Sequence, residues 1–167
     1  MRLAATAVLL GVGLSALAQE LPPIGDLNAP RVSRAREHVQ FVDQPEAALP
    51  AGKLAQLRLH FVVEDGFHIN SHRPKGELVI ATELRVEPSA GVRAGTASYP
   101  AGRPYHFAAA PDGEALDVYT GPFSVDLPVT ATAGAHTLHA TLRYQACDQA
   151  MCYPARSLPV VAEFSAK

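Results

Sequence analysis

Hydrophobic and polar residues alternate along much of the chain after Val39. In the stretch Gln56–Glu64, Leu57, Leu59, Phe61 and Val63 fall on one face, and Arg58, His60, Val62 and Glu64 on the other. A period of two puts successive side chains on opposite faces of a strand, so this stretch reads as a strand with one buried face. Thr82, Leu84 and Val86 alternate in the same way with Glu83, Arg85 and Glu87. So do Leu138, Ala140, Leu142 and Tyr144 with Thr137, His139, Thr141 and Arg143. Leu158–Phe164 is more continuously apolar and could be a strand buried on both faces. Turn signals separate the runs: Asp65-Gly66, Pro88-Ser89-Ala90-Gly91, Pro111-Asp112-Gly113, Thr120-Gly121-Pro122 and Ala133-Gly134. No window after the leader carries a helical repeat, and 14 prolines argue against long helices. Short strands between regular turns predict an all-β antiparallel sandwich.

The first residues read differently. Met1-Arg2 precedes an apolar run from Leu3 to Leu17, which ends in the small-x-small site Ala16-Leu17-Ala18. That is the pattern of a secretory signal peptide, residues 1–18, and the run is short of the roughly 20 residues of a membrane span. Residues 19–38 are rich in proline, glycine and small polar residues and read as a flexible lead-in, with a possible helical turn at Arg31–Arg36. The folded domain is then 39–167, long enough to build its own core. Lys and Arg number 14 against 16 Asp and Glu, and loss of Arg2 with the leader makes the balance more acidic. Nothing in that balance attracts nucleic acid or an anionic membrane. No later stretch is apolar enough to span a bilayer, so the mature chain is expected to be soluble and exported.

The candidate chemistry is a pair of cysteines, the only two in the chain: Tyr144-Gln145-Ala146-Cys147-Asp148-Gln149-Ala150-Met151-Cys152-Tyr153-Pro154. The strand ending at Tyr144 and the one starting near Arg156 are expected to pair as a hairpin with the cysteines on its arms near the tip. Facing positions on such a pair lie within reach of a disulfide. A structural bridge is the plain reading for an exported protein. Yet closing a loop of about six residues stabilises by only ~2 kcal/mol, against ~4.7 for 100 residues. A short bridge at an exposed tip is better placed for attack by a partner's thiolate. The spacing is not Cys-x-x-Cys and no helix follows it, so the device that activates a thioredoxin cysteine is missing. If the pair exchanges, the activated thiolate belongs to the partner. A Cys–His hydrolase finds no base or oxyanion hole. Seven histidines leave copper or zinc handling open, but His68 and His72 lie in an expected loop, and the histidines read otherwise as half-exposed strand and loop residues. No metal is assigned.

The segment Tyr144-Gln145-Ala146-Cys147, four residues, then Cys152-Tyr153-Pro154 resembles the signature of the N-terminal domain of the DsbD thiol:disulfide interchange proteins. Upstream, Glu64-Asp65-Gly66-Phe67-His68-Ile69-Asn70 resembles the family's Asp-Gly-aromatic segment. Tyr99-Pro100, Tyr105-His106-Phe107, Val118-Tyr119-Thr120-Gly121 and Leu127-Pro128-Val129 resemble its central region. The resemblance runs from about Val39 to Phe164. It implies an immunoglobulin-like sandwich in the periplasm that takes electrons from a thioredoxin-like domain of a membrane DsbD-type reductase. These it passes to oxidised partners as dithiol for disulfide, without a cofactor. It implies that Cys152 forms the mixed disulfide and Cys147 resolves it. It also implies a cap loop, with Phe107 as the shielding aromatic and Tyr105 and His106 beside it. Phe67, Asn70, Tyr144 and Tyr153 are expected near the sulfurs. Two departures stand out. Family members also place five residues between the cysteines, and this chain carries neither the membrane domain nor the thioredoxin-like domain. As a free-standing domain it is expected to use separate thioredoxin-like partners, or else to be a non-catalytic interaction module with a structural disulfide.

Overall fold

Alternating burial along long strands builds two facing sheets. The computed structural model describes residues 37–42, 47–76, 79–106 and 115–167, all within the compact unit Ala35–Lys167. Its strands are β1 (Val39–Val42), β2 (Ala47–Leu49), β3 (Ala55–Val63), β4 (His68–Asn70), β5 (Glu83–Val86) and β6 (Val92–Ala94). They continue with β7 (Arg103–His106), β8 (Ala115–Tyr119), β9 (Pro122–Ala131), β10 (Gly134–Tyr144), β11 (Ala146–Cys147) and β12 (Arg156–Ala166). They form three four-stranded sheets, ordered β1-β3-β9-β6, β2-β12-β10-β5 and β11-β4-β8-β7. The expected signal peptide and the lead-in through residue 36 lie outside the described residues, as does Phe107 of the expected cap.

The period-two runs do what their pattern demands. On β3, Leu57, Leu59, Phe61 and Val63 are buried; on β10, Leu138, Ala140, Leu142 and Tyr144 are. With Val125, Leu127 and Val129 of β9 and Leu158, Val160 and Phe164 of β12 they form one apolar cluster between the first two sheets. The result is an all-β, immunoglobulin-like sandwich. Phe61 sits at its centre, with ring centroids 5.5 Å from Phe41 and 5.2 Å from Phe123.

One expectation needs correcting. The Leu158–Phe164 run is buried on one face only, since Pro159, Val161 and Glu163 point outward and Val161 is 46% exposed. Apolar residues on both sides do not create a second covering layer, and on the outer side Val161 stands opposite His139 of the neighbouring strand. The sandwich is antiparallel as expected, with one short parallel pairing at an edge, where β2 lies beside β12 with Phe164 opposite Ala47.

The third sheet sits where the site will be. The Asp65-Gly66 turn between β3 and β4 is closed by the Phe67 N–H donating to the Glu64 carbonyl at 3.1 Å. Gly66 has φ of 84°, which glycine adopts without strain. Gly102, just before β7, lets the chain pass close to β8: a Cβ there would stand 2.8 Å from the Cβ atoms of both Asp117 and Ser71. Replacing Phe61 by alanine should cost about 3–5 kcal/mol in denaturant unfolding, whereas Val161→Thr on the outer face should stay within about 0.5 kcal/mol.

Candidate functional site: the Cys147–Cys152 hairpin tip

The β10–β12 ladder runs from Gly134↔Ala166 to Tyr144↔Arg156, and there it stops. The chain then leaves that sheet. Ala146 and Cys147 pair instead with β4, Ala146 opposite Ile69 and Cys147 opposite His68. Cys147 also faces Cys152 across an isolated antiparallel bridge, and a disulfide joins them. The expected hairpin is present, but its first arm crosses from one sheet to another. That crossing buries Cys147 completely, while Cys152 is only partly covered. The bridge is therefore less exposed than expected, and its two sulfurs differ.

A side chain that sequence reasoning passed over holds the crossing in place. The Gln145 carbonyl oxygen Oε1 accepts from Asn70 Nδ2 at 3.1 Å and from the Ile80 N–H at 3.2 Å. Its Nε2 donates to the Tyr153 carbonyl at 3.2 Å, so one amide ties both arms of the tip to β4. Asn70 Nδ2 donates also to the Ile80 carbonyl at 3.0 Å. Asn70 is buried and acts here as a structural tie.

The residues between the cysteines close on themselves. The Asp148 N–H donates to the Met151 carbonyl at 3.0 Å, and Tyr153 N–H to the Ala146 carbonyl at 2.8 Å. Asp148 Oδ1 accepts from the N–H groups of Ala150 (2.7 Å) and Met151 (2.8 Å). The Tyr153 hydroxyl donates to Oδ2 at 2.6 Å. An aspartate opening a tight turn commonly accepts from N–H groups two residues on, and that preference was a signal in the sequence. The Tyr153 hydrogen bond and the two backbone donors hold the Asp148 carboxyl below the usual range. The same bond raises the Tyr153 phenol.

Two groups of rings lie on the strands and turns around the cysteine pair. Phe67 stacks on His38 with centroids 3.7 Å apart, and Tyr153 lies 5.5 Å from His38 and 6.0 Å from Phe67. His38 Nδ1 meets Glu64 Oε2 at 2.7 Å. Met151, at the tip, is 54% exposed. On the other side the Tyr105 ring lies 4.0 Å from that of His68. His106, its neighbour, is exposed. Tyr144 is wholly buried; burial raises its phenol pKa, offset in part by the backbone at His38 and Val39.

The histidines are not all the half-exposed residues expected. His68 lies on β4, not in a loop, and is 2% exposed; His38 is also buried. Burial lowers the His68 pKa, and the nearby Asp148 charge opposes that. No pattern along the sequence marks His68, because its neighbours Cys147 and Tyr105 come from strands far along the chain. Among the described residues no group of three His, Cys, Asp or Glu side chains gathers to hold a metal.

The family described as "Thiol:disulfide interchange protein DsbD, N-terminal" matches residues 38–160, well over half of the chain. The chain belongs to the DsbD N-terminal domain family. Family members are periplasmic and exchange thiols and disulfides with protein partners, and in this DsbD-type domain the paired cysteines sit within the matched region. The crystal structure of the Neisseria meningitidis DsbD N-terminal domain in the reduced form is similar at 17% identity and a TM-score of 0.44, covering 65% of this chain and 76% of that one. No curated protein matches. Among the described residues no helix is long and apolar enough to cross a membrane.

His68 gives this DsbD-type domain a signature in pH. Its folded pKa lies below the ordinary value of about 6.5, so the unfolded chain binds more protons beneath that pH. Its stabilising contribution is complete above about pH 6.5 and declines as the pH falls from there towards the folded pKa. Melting temperatures measured across this window should fall less steeply for His68→Gln than for the parent protein. The loss attached to Asp148 is centred lower, setting in as the pH falls towards the ordinary carboxylate value of about 4.

Proposed function

We propose that this protein is a periplasmic thiol:disulfide exchange protein, exported by the leader 1–18, which relays electrons from a thioredoxin-like donor to oxidised partner proteins through Cys147 and Cys152. The observation that carries this reading is the unequal pair of sulfurs, one buried and one partly exposed, in a tip closed by its own hydrogen bonds. Because Asp148, Tyr153 and Gln145 hold the tip without help from sulfur, the bridge adds little to the fold. A dithiol would stay assembled after reduction.

The roles of the two cysteines follow from access. A partner's thiolate must reach a disulfide sulfur to attack it. Cys152 is the accessible one, with Met151 and Tyr153 around it as an apolar rim for a docking partner. Cys147 is then the resolving cysteine. Phe107 is the shielding residue of this reading, since the family resemblance puts it in the cap and it follows the strand that sets Tyr105 over His68.

With a thioredoxin-like partner on non-reducing gels, Cys147→Ser should trap a covalent complex and Cys152→Ser little or none. The reverse pattern would overturn the assignment of roles. No complex with either variant, together with a bridge still oxidised well below about −300 mV, would favour a structural disulfide in an interaction module. Phe107→Ala should speed alkylation of the reduced cysteines with little change in melting temperature. A stability loss of about 3–5 kcal/mol would make it a core residue instead.

A further inference from the structure

The buried sulfur has a histidine for a neighbour. Cys147 and His68 are direct register partners on antiparallel strands. Side chains so placed share a face, with Cβ atoms about 4.5–5.5 Å apart. Both residues are closed off from solvent, and the Tyr105 ring covers the imidazole. While the disulfide is closed, neither sulfur carries a proton. Once it is reduced, Cys147 becomes a thiol in a place where burial favours the neutral form. The thiolate is the nucleophile in exchange, so Cys147 must give up that proton before it can attack.

We propose that His68 accepts the proton of the Cys147 thiol when Cys147 resolves the mixed disulfide. The assignment rests on the exchange reading above and adds a residue to it. A base for this step must be neutral before it acts, and burial keeps the imidazole so by lowering its pKa. Asp148, at the start of the turn, supplies the negative charge that steadies the imidazolium once formed. The other described groups beside β4 have partners of their own. Tyr105 of β7 presents its ring, Tyr119 of β8 donates its hydroxyl to the Pro100 carbonyl, and Asp117 pairs with Lys75 at 3.4 Å.

The step balances. The partner's disulfide has already been opened by Cys152, leaving a Cys152–partner disulfide and one reduced partner sulfur. Cys147 S–H passes its proton to His68, and the resulting thiolate attacks Cys152 Sγ. The bond from Cys152 to the partner breaks, and its electron pair leaves on the partner's sulfur, which takes a proton from water. The Cys147–Cys152 bond forms, and the imidazolium later returns its proton to solvent. One partner disulfide is reduced and this pair is oxidised.

Oxidised glutathione serves as the probe. Reduced protein is mixed with it, quenched with acid at intervals, and the glutathionylated and disulfide forms are counted by mass. His68→Gln should leave the first step unchanged but slow closure about tenfold or more at neutral pH. The deficit should shrink as the pH rises through the ordinary thiol value of about 8.5. Equal closure rates and equal pH profiles for the two proteins would sink the proposal. A second measurement keeps His68 in place, in the Cys152→Ser variant. There the thiolate absorbance of Cys147 and the imidazole proton resonances of His68 should share a titration step. A thiol that ionises near 8.5 with no response from the imidazole would overturn the assignment even if His68→Gln failed to fold. The two readings fail separately: a His68-dependent closure with no thioredoxin-like complex removes the relay alone, and a trapped complex with His68-independent closure removes only the histidine.

Discussion

The site depends on a single change of partner by the backbone. After Tyr144 the chain gives up its ladder with β12 and takes up β4, a strand of a different sheet. Such a departure leaves peptide groups that must find new partners, since buried unpaired amides are costly. Gln145 meets that demand, bonding Asn70, the Ile80 N–H and the Tyr153 carbonyl from one side chain. Without the crossing, both cysteines would sit at the exposed end of a plain hairpin and would be equivalent.

The asymmetry that results is what the proposed exchange rests on. A two-step exchange needs one sulfur that a partner can reach and one that it cannot, so that the second stays available to resolve the intermediate. Here burial separates them, and the turn opened by Asp148 keeps them facing each other. That turn is also held by hydrogen bonds to a charged carboxylate, which are stronger than neutral ones. The same carboxylate bears on His68, where its charge opposes the larger effect of burial.

The core of the sandwich reaches the site from one side, through Ile69 of β4, Ala146 of β11 and Tyr144. Phe61, Leu127, Leu142 and Phe164 fill the space between the two large sheets, and the small third sheet carries the site at its edge. Cys147 therefore stands against the core, while the tip beyond it, with Met151 exposed, faces outward.

Much of this was legible in the residues. The alternation at Leu57–Val63 and Leu138–Tyr144 dictated strands and their buried faces, because period two is a local property of the chain. The cysteine segment, read with Tyr153-Pro154, pointed to the family and to a hairpin bridge. What period two could not carry was which strand lies beside which, or what covers an outer face. Leu158–Phe164 looked buried on both sides until β12 proved to have an open outer face at Val161. His68 and His72 looked alike, as histidines in a loop, until the β4–β11 pairing placed His68 against Cys147. Gln145 stood in the cysteine segment with no role attached, because its importance lies in Asn70 and Ile80, which are brought to it by the fold. Local pattern sets the strands, since each residue's own burial is written in its hydrophobicity. The site is set by contacts between residues up to about 80 apart in sequence, such as His68 with Cys147, and only the packing of the sheets decides those.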